Sequence, residues 1–158
     1  IEQGADAVMT AHILFPQLDP DLPATLSPVL LTNVLREELG FKGVIITDDL
    51  TMGAIVNHFD IGEAAVQSLF AGSDILLVCH GHDEVKRVLE TIQQEVLHGT
   101  LREERIDESV YRILQLKTEY EIDDHSTASV ISPEVINEQI QQIMSQTENL
   151  DSLSLPQP

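Results

Sequence analysis

Three short apolar runs, residues 5–13, 43–47 and 74–79, are each led in by Gly or Asp and followed by a loop. They are near-continuously hydrophobic and lack the polar–apolar alternation of a half-buried strand. Strands covered on both faces read this way, so the pattern predicts a parallel sheet flanked by helices.

Amphipathic stretches with helix punctuation lie between the runs. Ser27 before Pro28 predicts an N-cap with proline at the first helical position, and Leu30, Leu31, Val34 and Leu35 form a stripe that ends at Gly40. Asp60 is expected to cap a helix over residues 61–71 that stops at Gly72. Asp83 opens a third, with Val85, Val88, Leu89, Ile92 and Val96 on one face, and Asp107 caps a fourth carrying Val110, Ile113 and Leu114. This order of elements is that of repeating βα units, which build either a doubly wound sheet or a (β/α)8 barrel. Spacing alone does not choose between them.

The chain has 158 residues, 42% of them hydrophobic and 22% charged, enough for one globular domain with its own core. Its 27 acidic residues against 8 basic ones give a formal charge of −19. Such a surface repels phosphate backbones and anionic lipid, so nucleic acid and membrane are not expected partners. Cys79, the single cysteine, has no internal disulfide partner and is expected as a buried, inert thiol. That usage fits a reducing compartment, which favours a cytoplasmic setting and leaves export open. Residues 1–4 read as the last turn of a helix closed by Gly4, as if the chain began inside a larger fold. Residues 1–121 form the expected domain. Residues 122–158 hold six acids and no Lys or Arg, and are expected to be an acidic, partly flexible tail or linker with one helix from Ser132–Pro133 to about Met144.

In βα-repeat proteins reactive groups gather at the C-terminal ends of strands. Three such ends carry polar residues here: His12, then Thr47-Asp48-Asp49, then Cys79-His80-Gly81-His82. Consecutive carboxylates leave a strand in different directions, so only one of Asp48 and Asp49 faces a site while the other bonds the following turn. A carboxylate at a strand end can be nucleophile, general base, metal ligand or a loop cap. His80, His82 and Asp83 lack a third spaced ligand, so no metal site is expected from them. His58, His98 and His125 are read as surface residues.

The stretch Gly40-Phe41-Lys42-Gly43-Val44-Ile45-Ile46-Thr47-Asp48-Asp49-Leu50-Thr51-Met52 resembles the nucleophile motif of family-3 β-N-acetylhexosaminidases. Gly4-Ala5-Asp6-Ala7-Val8-Met9-Thr10-Ala11-His12 is similar to that family's preceding strand. Phe15-Pro16-Gln17-Leu18-Asp19 and Leu22-Pro23-Ala24-Thr25-Leu26-Ser27 share the likeness. Ala71-Gly72-Ser73-Asp74-Ile75-Leu76-Leu77-Val78-Cys79 resembles the last barrel strand. The likeness covers about residues 1–120. It implies an α/β fold that is part of a (β/α)8 barrel, namely its last three βα units.

By the same resemblance Asp48 is the catalytic nucleophile of a retaining glycosidase. Asp49 supports it, best by bonding backbone donors so that its charge does not disturb Asp48. His12 lines the sugar pocket or bonds its own loop, and Met52 sits near the acetamido pocket or packs in the core. The implied substrate is a terminal β-linked N-acetylglucosamine, as in peptidoglycan fragments, and neither cofactor nor metal is implied. The family supplies its general acid/base as a His in a mobile loop located after a Lys-His-Phe-Pro-Gly-His-Gly signature, and no such element occurs here. The missing N-terminal barrel half is therefore an implied partner, and the chain alone is expected to be inactive, with marginal stability or self-association. Two alternatives stay open: a non-catalytic half-barrel or acidic interaction module, and an unrelated βα-repeat enzyme using Asp48 and Asp49 with a metal.

Overall fold

A computed structural model describes residue 1, residues 3–122 and residues 132–148. The chain divides into two compact units, Ile1–Glu121 and Ile122–Pro158.

The first unit is built on a three-stranded parallel sheet of β1 (Ala7–Met9), β4 (Val44–Asp49) and β5 (Ile75–Leu77), with β4 in the middle. It is an α/β fold of a parallel sheet with helices, as the apolar runs predict. β1 and β5 are shorter than their runs, β1 because it pairs with β4 only from Ala7↔Val44 to Met9↔Ile46, whereas β4 extends two residues past its run to Asp49. The loop that follows β1 contains a small antiparallel hairpin, β2 (Leu14–Phe15) and β3 (Asp19–Pro23). A Pro-rich stretch this short carries no strand periodicity, which hides the hairpin from sequence reasoning.

Ser27 does cap the next helix: its hydroxyl accepts the Leu30 N–H at 3.2 Å. That helix, Val29–Glu38, is π-wound, and its last turn closes from the Leu39 N–H to the Val34 carbonyl five residues back. A short α1 (Gly53–Val56) leads to α2 (Ile61–Ala71), whose Asp60 side chain accepts from the Gly62 and Glu63 N–H groups. Helix α3 spans His82–Leu97, starting one residue before Asp83, and α4 spans Glu103–Glu119. Asp107 is therefore inside α4 and does not cap it; the acids Glu103 and Glu104 occupy the first turn, where they favour the helix dipole.

One hydrophobic cluster joins Leu26, Leu50, Ile55, Ile61, Ala65 and Val88, and a second joins Leu31, Phe41, Ile45 and Ala71. Leu89, expected on the buried face of α3, is exposed. Val110 and Leu114 of α4 are exposed as well. The face that α4 turns inward mixes half-buried Ile106, Ile113 and Leu116 with a polar cluster, Arg105, Ser109 and Arg112, that converges on Asp74 just before β5. Asp74 also accepts from Arg36 at 2.6 Å and from the Ile45 N–H at 2.9 Å, so one carboxylate ties α4 and the π-wound helix to β4. Burial pushes the Arg36 and Arg105 guanidinium pKa values down, and the charge of Asp74 works against that shift. Periodicity counts Arg as outward, which is why residue pattern alone does not reveal this anchor.

Gly43 allows the close approach of β1 and β4. A Cβ there would lie 2.2 Å from the Asp6 carbonyl oxygen and 2.7 Å from the Phe41 ring. Gly43→Ala is expected to cost about 1–3 kcal/mol, the usual scale of overpacking, and a urea midpoint checks it. An unchanged midpoint would count against this packing.

The second unit contains α5 (Pro133–Glu148), which starts where Ser132–Pro133 predicts and runs four residues past Met144. The remainder of the expected tail, His125 included, lies outside the described residues.

Candidate functional site

The site is set by an irregularity in the sheet. Ile46 pairs with Ile75 and Asp49 with Leu77, so β4 advances three residues while β5 advances two. The extra residue on β4 falls within Thr47–Asp48 and breaks the side-chain alternation there. Thr47 compensates: its hydroxyl accepts the Leu77 N–H at 2.9 Å. The two carboxylates leave β4 in different environments, Asp48 half-buried and Asp49 buried.

Asp49 is the hub of the three strand ends. Its Oδ1 accepts the N–H groups of Thr51 and Cys79, both at 3.0 Å, and its Oδ2 accepts the Thr51 hydroxyl at 2.6 Å. His80 Nε2 lies 3.7 Å from the same Oδ2. On the β1 side His12 Nε2 bonds the Asp49 carbonyl at 2.9 Å. The Asp49 N–H in turn donates to Asp48 Oδ1 at 2.8 Å. The ends of β1, β4 and β5 therefore meet through one residue.

Burial favours the protonated form of Asp49, but the donors from Cys79 and Thr51, with His80, outweigh it and hold the carboxyl below its ordinary 3.8. At Asp19 the Ser27 hydroxyl and the Leu22 and Asp21 N–H groups likewise lower the carboxyl, against some desolvation. A carboxyl depressed on folding stabilises the fold fully above its unfolded pKa, and that stability is lost as pH falls through the folded value. The melting temperature is thus expected to hold above about pH 5 and to fall below about pH 4. Acid also relieves repulsion within the −19 surface, so the Asp49 share is read as the difference from Asp49→Asn, whose acid dependence should be shallower. Parallel acid profiles for the two proteins would refute the assignment.

Cys79 is exposed, which corrects the expectation of a buried thiol. It lies two residues beyond the end of β5, outside the sheet's cover. Its thiol pKa is raised by desolvation, by the charge and hydrogen bond of Asp49 and by the charge of Asp48, so the group stays a thiol.

Met52 is 44% exposed rather than packed in the core, and its N–H donates to the Asp49 carbonyl at 3.1 Å. His12 is half-buried, with both ring nitrogens engaged. His58, His80, His82 and His98 are all exposed. Among the described residues no group of three or more His, Cys, Asp or Glu could hold a metal ion, and no helix is long and apolar enough to cross a membrane. Thr51 escapes a reading of the sequence, although a hydroxyl two residues after an Asp is a turn signal. Thr10 and Thr25, which bond each other at 2.8 Å, are 15 residues apart and carry no such signal.

Two open cavities flank this end of the sheet. One of about 560 Å³ is lined by Thr51, Phe59, Asp60, His80, Glu84 and Arg87. The other, about 380 Å³, is lined by His12, Leu14, Asp21, Ala54, His58 and Phe59.

Comparisons with known proteins fit this architecture. The chain is 37% identical over 119 residues to a beta-hexosaminidase of Nitrosomonas eutropha, covering 73% of this chain and 34% of that protein. A beta-hexosaminidase of Stenotrophomonas maltophilia is 41% identical over 98 residues, 62% of this chain and 29% of the relative. Among solved structures, a glycoside hydrolase family 3 beta-N-acetylglucosaminidase from Paenibacillus sp. str. FPU-7 superposes with a TM-score of 0.74 at 41% identity, covering 90% of this chain and 28% of that one. The chain thus spans about a third of the length of the relatives it matches. Residues 1–116 match the Glycosyl hydrolase family 3 N terminal domain, and the chain belongs to glycosyl hydrolase family 3.

Proposed function

We propose that this chain carries the nucleophile side of a retaining glycosidase site that cleaves terminal β-linked N-acetylglucosamine. Asp48 attacks the anomeric carbon and forms a glycosyl-enzyme ester, which water then cleaves. The observation that carries this reading is the division of labour in the aspartate pair. Asp49 is buried and spent on three donors, whereas Asp48 stands half-buried at the strand end with one backbone donor on Oδ1. A nucleophile needs that second condition: ionised, oriented and open on one oxygen. Met52, exposed beside it, and the carbon edge of His12, whose two ring nitrogens are engaged within the protein, are assigned to the pocket wall. The names of the relatives support the substrate class, with peptidoglycan fragments as the expected source.

Retaining hydrolysis also needs a general acid/base, and none is assigned within this chain. The three parallel strands are read as the last three βα units of a (β/α)8 barrel, whose other strands bring that group and the remaining sugar contacts. The chain alone is accordingly inactive, and N-acetylglucosamine release should appear only when the missing half is supplied. The test traps the complete barrel enzyme with a fluorinated N-acetylglucosaminide and maps the labelled peptide. Label on Asp48 is expected. Label on any other residue, or full activity from this chain by itself, overturns the proposal.

A further inference from the structure

We infer that His12 is a positioning residue that holds Asp48 in its attacking geometry through the backbone of residue 49, whose carbonyl it bonds and whose N–H meets Asp48, without touching the sugar by a ring nitrogen. The inference rests on the proposed role of Asp48.

The chemistry of the partners fixes the ring. A carbonyl only accepts, so the contact of His12 Nε2 with the Asp49 carbonyl at 2.9 Å puts the proton on Nε2. In the neutral ring Nδ1 is then an acceptor, and the Thr25 hydroxyl 2.9 Å away donates to it. The Thr25 oxygen accepts from the Thr10 hydroxyl at 2.8 Å. Thr25 is fully buried and Thr10 nearly so, and this interior chain of hydroxyls sets the plane of the imidazole. Both ring nitrogens are consumed, leaving only carbon edges for a ligand.

The sheet shows why such a strut is needed. Backbone pairing between β1 and β4 ends with the Thr10 N–H on the Ile46 carbonyl, three residues before Asp49. Beyond the bulge no β1 backbone reaches β4, and His12 takes the place of the missing ladder bond. From the β5 side the Cys79 N–H grips the Asp49 carboxylate, and from the turn the Met52 N–H shares its carbonyl. Held at its carbonyl and its side chain, residue 49 aims its N–H at Asp48 Oδ1. The Asp49 carbonyl lies in the Asp49–Leu50 peptide, which the Met52 N–H and the Leu50 N–H bond to the Leu77 carbonyl also hold. The Asp49 N–H lies in the preceding peptide, so loss of the His12 bond acts across the Asp49 Cα by loosening that one residue and shifting the N–H that orients Asp48. A misplacement of about 1 Å can cost about 100-fold in rate.

Two measurements test this. In the 158-residue chain, imidazole nitrogen spectra should show His12 as one neutral tautomer protonated on Nε2, with a coupling across the hydrogen bond to the Asp49 carbonyl. A Nδ1-protonated or averaging ring overturns the inference. In the complete barrel enzyme, His12→Phe should lower kcat about 10- to 100-fold with KM within about 2-fold, because ground-state binding is spared. His12→Gln, whose amide reaches the same carbonyl, should keep kcat within about 3-fold of the parent. A raised KM at unchanged kcat in His12→Phe means direct sugar contact and sinks the strut, as do equal losses in both variants or none in either. Asp48→Asn in the same enzyme separates the readings: if it stays active the nucleophile assignment fails, a result on which the tautomer spectrum does not depend.

Discussion

Asp48→Asn in the complete barrel enzyme is expected to lower kcat by about four to six orders of magnitude, the scale on which removal of a nucleophile acts. The substitution keeps the shape of the side chain and an oxygen to accept the Asp49 N–H, so melting should barely move. No neighbour can take over. Asp49 is buried and committed to Thr51 and Cys79, and the Cys79 thiol is held protonated by partial desolvation and by both aspartates. Asp49→Asn is expected to behave in the opposite sense. It should lose about 1–2 kcal/mol of stability, because one strong acceptor among three donors is replaced, and retain most of its turnover. Steady-state kinetics and thermal melts on both variants decide the matter. Equal activity losses with unchanged melting would contradict the division of roles.

The second large effect is structural and can be measured in this chain without substrate. Asp74→Ala should cost about 3–5 kcal/mol or more, since it leaves Arg36, Arg105 and Arg112 together at one buried point with no carboxylate between them. The Ser109 hydroxyl and the Ile45 N–H lose their acceptor as well. Against a typical domain stability of about 5–15 kcal/mol, that removes much of the margin. Urea denaturation should show a collapsed midpoint or no folded baseline. A loss below about 1 kcal/mol would mean that Asp74 is not the anchor of this fold. Because Asp74 lies before β5 while Asp48 and Asp49 end β4, this effect is separable from the chemistry of the site.

Several features can be read from residues alone because their causes are local. The apolar runs predict buried parallel strands, and β4 is buried almost throughout. Ser27, Asp60 and Gly72 end or begin helices for reasons contained in a few neighbouring residues. The aspartate pair stands out on sequence for the same reason. The start of α4 is misjudged because Asp107 reads as a cap although Glu103 and Glu104 open the helix, and its face is misjudged at Val110 and Leu114 because whether Arg105 and Arg112 turn inward depends on finding the distant Asp74 carboxylate. Cys79 is misjudged because an apolar run does not reveal where the sheet stops.

The residue order by itself determined the βα class, the helix caps and the position of two adjacent carboxylates at a strand end, since each is a matter of period or of contacts within a few residues. Only the tertiary structure decided how the pair is divided. The Cys79 N–H reaches Asp49 from 30 residues away in sequence, and His12 reaches it from 37 and bonds Thr25 from 13. Their convergence at the β4 bulge depends on strand register, which no local pattern encodes.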